Sequence, residues 1–379
     1  MKLIRPFLIL IIVTGVFSCK EKPLTKIAKL QTLIDSIYKA HPNGVGFILH
    51  VEAPDQNISW GSAVGYSNRQ TKETLNKEQP GQIASITKTF VSATIFRLIE
   101  NGDLNMYEPI RTLVPEKTRV LMIENGYDLD SITVAHLLSH RGGFPSMVTK
   151  KWREILKQNL QYTWTRDEQI KDALSMNERL KIGDFEYSDL NYSLLSEIIE
   201  EKTETSFFLA MRNLLKFDEI GLNNTWFYSL EPDPKGIEER FHQYKESRNW
   251  VSTFDESPTW GLFGAAGLVS TTEDLAIFSQ ALTTGNIFNN PETLSLMLSD
   301  LKGLDNTFED IGYDMEFSMR MGIDLIKGQD FEIYGFNGYW GGYMYHFPEL
   351  NASFGLYQLN ADEEIDIVKL FLDIKNIIE

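Results

Sequence analysis

Strand-like segments stand at both ends of this 379-residue chain, and the stretch between them reads as helix. Gly44–Val51 alternates Val45, Phe47 and Leu49 with other residues, and Ile58–Val64 follows across the turn-forming Pro54-Asp55-Gln56-Asn57. From about residue 311 the tail returns to runs rich in Tyr, Phe, Met and Gly, and a last helix is expected over Glu363–Ile378. Residues from about 105 to 255 are expected to be mostly helical, with clear patterns at Val134–Ser139, Glu168–Met176, Ser193–Glu201 and Phe207–Leu215. Such a chain must build its sheet from both termini, with helical material inserted between them. Ser270-Thr-Thr-Glu273 matches a capping box and predicts a further helix.

Within that frame, Ser85-Ile-Thr-Lys88 carries the chemistry. One helical turn sets positions i and i+3 on the same face, so the ammonium lies beside the hydroxyl. A serine hydroxyl attacks poorly until a neighbouring base takes its proton, and a desolvated lysine can be tuned to do so. Ser-x-x-Lys alone says little, since it also occurs as Ser36-Ile-Tyr-Lys39 and Ser299-Asp-Leu-Lys302. Ser36 lies on the polar face of an amphipathic helix (Leu30, Leu33, Ile34 and Ile37 form its stripe), and Ser299 ends a short packing segment. Only Ser85 opens a long apolar helix, Thr89–Ile99, which stops at Asn101-Gly102. Free backbone N–H groups and the helix dipole favour negative charge at that start.

Composition narrows the partners. A net charge of 36 − 53 = −17 argues against nucleic acid, and 42% hydrophobic residues suffice for a packed core. No glycine-rich phosphate loop or dinucleotide fingerprint is present, so no cofactor is expected. His136 and His140 stand at i, i+4, but Leu137 replaces the glutamate of a His-Glu-x-x-His motif and Arg141-Gly142-Gly143 breaks the helix. A metal is therefore not expected.

The N-terminus predicts export. Lys2 and Arg5 precede an apolar run, Phe7–Phe17, too short for a bilayer of roughly 20 residues. Val16-Phe17-Ser18-Cys19 resembles a bacterial lipobox, and Cys19 is the sole cysteine. The expectation is a signal peptide over residues 1–18, a lipidated Cys19 with a tether to residue 26, and one folded domain carrying Ser85 over 27–379. A membrane-anchored lipoprotein of the periplasm, outer membrane or cell surface follows. The alternative is an ordinary secreted protein.

Three further blocks make a resemblance. His136-Leu-Leu-Ser-His140-Arg-Gly-Gly-Phe-Pro145, Tyr187-Ser-Asp-Leu-Asn191-Tyr-Ser-Leu-Leu195 and Gly264-Ala-Ala-Gly-Leu-Val-Ser-Thr-Thr-Glu-Asp274 follow Ser85 in order. Together with Gly335-Phe336-Asn337-Gly338-Tyr339-Trp340-Gly341-Gly342, they resemble the β-lactamase-related serine hydrolases, the class C β-lactamase and penicillin-binding-protein-like group. The resemblance implies a mixed α/β fold, an antiparallel sheet flanked by helices plus a mostly helical subdomain, with the site in the cleft between. It implies Ser85 as acylated nucleophile, Lys88 as proton acceptor and Tyr187 as proton carrier to the leaving group. Backbone N–H groups of Ser85 and Tyr339 would form the oxyanion hole, with Asn337 and Gly338 beside them on the substrate strand. Whether Lys88 or Tyr187 is the base stays open.

Two positions depart from the family. Asp189 stands where asparagine is usual, and Phe336 where lysine or histidine is usual. A like charge at about 4 Å costs roughly 4 kcal/mol at an effective dielectric near 20, so Asp189 would oppose a substrate carboxylate unless it pairs with Lys88. The reading is a serine hydrolase of small-molecule, ester or D-amino-acid amide or peptide substrates rather than of β-lactams. The alternatives are a catalytically inactive lipoprotein binding peptidoglycan fragments or a partner, and a true β-lactamase.

Overall fold

The computed structural model describes residues 24–147, 149–175, 179–301 and 309–379. The leader, Cys19, most of the tether and Lys302 of the third Ser-x-x-Lys lie outside the described residues. Helix α1 (Lys26–Ala40) starts where the tether was expected to end, with the Thr25 hydroxyl accepting the Ala28 N–H. Strands β1 (Gly46–Ala53) and β2 (Ile58–Gly65) follow, joined by a single 3₁₀ turn that Asn57 closes in left-handed conformation. The short β3 (Gly81–Gln82) leads through a 3₁₀ turn, Ala84–Ile86, into α2 (Thr87–Asn101).

The helical middle comprises α3 (Glu116–Glu124), α4 (Val134–Leu138), α5 (Lys150–Gln158), α6 (Arg166–Leu174), α7 (Asp189–Thr203), α8 (Phe207–Leu214) and α9 (Phe217–Ile220). The helices stop there, short of the expected residue 255. Beyond them lie β4 (Trp226–Phe227), β5 (Tyr244–Lys245) and β6 (Val251–Ser252). Pro232, Pro234 and Gly236 disfavour helix in this stretch, and β4 instead pairs with β7 (Leu268–Ser270). Helix α10 (Thr272–Thr283) is capped by Thr271, which accepts the Asp274 N–H, one residue later than the capping box predicted. Ser270 is unavailable as a cap because it ends β7 opposite Gly81.

After α11 (Pro291–Met297) come β8 (Glu309–Gly312), β9 (Met315–Met319), β10 (Asp324–Lys327), β11 (Glu332–Gly338), β12 (Gly342–Phe347), β13 (Ala352–Gln358) and α12 (Ile367–Ile378). The main sheet runs β2-β1-β13-β12-β11-β10-β9-β8, with every neighbouring pair antiparallel. Both chain ends therefore meet in it, with Phe47 opposite Gln358, as the sequence pattern required.

Strand alternation sorts the two faces. Phe47, Leu49 and Val51 join Phe354 and Leu356 against Leu30 and Ile34 of α1 and Leu370, Phe371 and Ile374 of α12. Ile48 and Tyr357 point the other way, into the larger core with α2, α7 and α10. Helix α10 can lie on β13 because residue 355 is glycine; a Cβ there would sit 2.3 Å from the Thr272 carbonyl oxygen. Residues Thr87 to Leu98 of α2 are all buried, so its first turn is held rigidly between the sheet and the helical region.

Candidate active site

Ser85 sits in the 3₁₀ turn, not in the helix proper, one residue after Ala84 with its φ of 45°. An L-residue in the left-handed region is strained, and such strain persists only where surrounding structure fixes it. Strand β11 supplies that support. A Cβ on Gly338 would lie 2.3 Å from the Ile83 carbonyl oxygen, so only glycine lets this strand press against the serine turn.

One turn on, Lys88 is fully buried, and its ammonium touches three acceptors. Ser85 Oγ lies 3.2 Å away, the Ala265 carbonyl 2.7 Å, and Asp189 Oδ1 2.7 Å. Tyr187 donates its hydroxyl to Ser85 Oγ at 2.9 Å, so the serine oxygen accepts from two sides. Burial pushes the Lys88 ammonium toward neutrality, but the Asp189 and Tyr187 oxygens outweigh it and hold its pKa above the ordinary lysine value. Burial likewise raises the Tyr187 phenol, against the opposing pull of Lys88. The Lys88 charge is thus compensated inside the site.

Asp189 therefore resolves the choice left by the sequence. It is the first residue of α7, its side chain is 24% exposed, and it pairs with Lys88 instead of standing as a free negative charge. Phe336 is buried on β11 and lines a recess with Ser85, at the position where the resemblance leads to the expectation of lysine or histidine. Asn337, Gly338 and Tyr339 line the same recess, with the Tyr339 ring 52% exposed. The structure thus gathers Ser85, Lys88, Tyr187, Asp189 and residues 336–339 around one point.

Several neighbours escaped the sequence reading. His140, given no role there beyond a rejected metal ligand and a place in the family block, leaves α4 with φ 57° and stacks on Tyr187 at 4.3 Å between ring centroids. Its Nδ1 accepts the Ser188 N–H at 3.2 Å, and burial followed by the nearby Lys88 charge keeps the imidazole well below its ordinary pKa, hence neutral. His136 instead closes the N-terminal cap of α4, accepting the Thr133 N–H at 3.1 Å. The pair diverges because α4 ends at Leu138. Lys245 of β5 enters the recess beside Phe336, paired with Asp362 at 3.0 Å and 4.3 Å above the Tyr339 ring. Arg248 reaches Tyr339 and pairs with Glu256. No local spacing points to the contacts of Lys245 with Asp362 or of Arg248 with Tyr339, which join segments far apart in sequence.

Known proteins agree with this architecture. The chain belongs to the Beta-lactamase family, whose sequence pattern matches residues 50–363. Among relatives, it is 28% identical over 273 residues to penicillin-binding protein 4* of Bacillus subtilis (strain 168), an alignment covering 67% of this chain and 55% of that one. The chain thus spans about half the length of that relative. D-amino acid amidase from Ochrobactrum anthropi SV3, solved with L-phenylalanine, matches with a TM-score of 0.74 at 22% identity, over 92% of this chain and 97% of its own. The D-stereospecific amidohydrolase from Streptomyces sp. matches with a TM-score of 0.72 at 19% identity, over the same 92% of this chain and 97% of its own. These two likenesses establish the β-lactamase/transpeptidase fold.

Proposed function

We propose that the protein is a serine hydrolase working through an acyl-enzyme on Ser85. The observation that carries this reading is Ser85 Oγ lying 3.2 Å from Lys88 Nζ and 2.9 Å from the Tyr187 hydroxyl. Lys88 donates to Ser85, Asp189 and Ala265, and of these only the Asp189 carboxylate can take a proton from it. As Ser85 attacks the carbonyl carbon, its proton passes to Lys88 while Lys88 releases one to Asp189. Tyr187 protonates the departing nitrogen or oxygen as the scissile bond breaks, leaving a phenolate. The phenolate then takes a proton from the attacking water, and Lys88 reprotonates Ser85 as Asp189 returns its proton. Backbone N–H groups of Ser85 and Tyr339 are the proposed donors to the oxyanion.

The proposed substrates are esters and amides, including D-amino-acid amides or peptides. The names of the penicillin-binding relative and the two amidohydrolase neighbours support that range. Phe336 in place of a cation, with the Lys245 ammonium in the recess already paired with Asp362, favours neutral groups there over the carboxylate of penicillins and cephalosporins. An inactive binding module loses one of its two supports, because Asp189 joins the proton network instead of disrupting it.

A fluorophosphonate probe should label Ser85, and Ser85→Ala should abolish labelling with losses in turnover on the order of 10⁴–10⁶, as for other nucleophile deletions. Labelling that survives Ser85→Ala would defeat the assignment. Membrane attachment through Cys19 belongs to the same proposal. Cys19→Ser should move the protein from the membrane to the soluble fraction, and unchanged fractionation would remove that part.

A further inference from the structure

Two cavities meet at Ser85. The recess beside Phe336 has a volume of about 370 Å³ and is the more open. The other is a more enclosed chamber of about 510 Å³, and Ser85, Tyr187 and Tyr339 line both. Of the seven tryptophans in the chain, Trp152, Trp164, Trp260 and Trp340 line the chamber.

Their rings are mutually ordered. Trp260 meets Trp152 at 5.1 Å and 45°, and Trp164 at 5.0 Å and 71°; Tyr162 meets Trp164 at 5.0 Å and 70°. This wall comes from α5 and from two loops tied together by Thr259. Its hydroxyl accepts the Trp164 N–H at 2.8 Å, and its carbonyl accepts Gln169 at 2.7 Å. Edges and faces offered at steep angles complement the quadrupole of another ring, which a methylene chain lacks. A sealed cavity of roughly 150 Å³ already holds benzene, so the chamber has room for one or two rings with a linker.

The leaving group must depart while the acyl group stays on Ser85. The open recess suits the first and the enclosed chamber the second. Resting on the serine-hydrolase reading above, we propose that the chamber is an acyl site for an aromatic group. The substrates are then esters or amides of aryl-bearing carboxylic or amino acids.

The test compares p-nitrophenyl acetate, hexanoate and 3-phenylpropionate, which share one leaving group. The phenylpropionate should exceed the acetate in kcat/KM on the order of ten- to a hundredfold, the scale of burying one phenyl side chain, and should also exceed the hexanoate. Trp260→Ala should bring the phenylpropionate-to-acetate ratio toward one. Trp152→Leu repeats the test on α5, a helix with no buried residue, where truncation spares the core. A flat series, a preference for hexanoate, or a ratio unmoved in both variants overturns the proposal. If no ester is hydrolysed, 3-phenylpropionamide added to the Ser85→Ala protein should still quench tryptophan fluorescence saturably, and no quenching overturns the proposal. Absent fluorophosphonate labelling with intact aryl binding would instead count against the hydrolase reading alone.

Discussion

Helix α7 sets two ionisable side chains in opposite surroundings, one at its start and one near its middle. At its start, Asp189 meets the Lys88 ammonium at 2.7 Å, and a buried cation is held charged. Two turns along, Glu197 is 1% exposed and receives one hydroxyl, from Thr118 at 3.0 Å, with Arg166 engaged by Glu200 nearby. Burial dominates there and raises its pKa to about 7. A buried charge survives when a counter-ion touches it, and otherwise the group tends to neutralise. The position that keeps its charges is the one that faces Ser85.

The larger effect should come from the unpaired position, Glu197. The Glu197 carboxyl binds its proton more tightly when folded, so the parent loses stability as pH rises from about 4.5 to about 7. Glu197→Gln removes that slope, worth up to roughly 3 kcal/mol for a shift of this size. Denaturant unfolding at pH 5 and pH 8 measures it. Parallel pH dependences in parent and variant would show that Glu197 does not titrate as its burial demands.

A smaller effect is expected at the paired position, Asp189. Asp189→Asn removes the leading cause that holds Lys88 charged, so burial should pull the amine pKa down. Activity at neutral pH should fall on the order of ten- to a hundredfold, the range of a hydrogen bond to a charged group. The residual activity should then climb with pH as Lys88 becomes neutral and can accept the serine proton directly. The parent, whose lysine pKa is raised, should not titrate in that window. Superimposable pH–rate profiles would dissolve the contrast between the two positions on α7.

Local spacing made part of this legible in advance. Ser85 and Lys88 stand one turn apart, so their contact follows from helix geometry alone. The split sheet was readable because period-two alternation in Phe47 and Leu49 survives into a buried face, although Val45 falls before β1 and joins the opposite core. Contacts made between distant loops left no such trace. Ala265 gives Lys88 its carbonyl, Lys245 enters beside Phe336, and Trp260 meets Trp152 only after folding. Asp189 fell between the two cases: its departure from the family and its possible pairing with Lys88 were both visible, but which alternative held depended on the fold. The cap at α10 slipped by one residue because strand pairing claimed Ser270 first.

The meeting of β1 with β13 has a consequence for biosynthesis. While the chain is emerging from a ribosome, β1 and β2 can form a hairpin, but the strand opposite Phe47 is not yet made. An unpaired strand edge on a nascent chain invites aggregation, and chaperone cover is the usual remedy. The serine turn waits as well, since the strand that presses against Ile83 ends at Gly338. A chain stalled or clipped before residue 338 would therefore carry Ser85 and Lys88 yet lack the wall that completes their site, so activity would report that synthesis had passed that point.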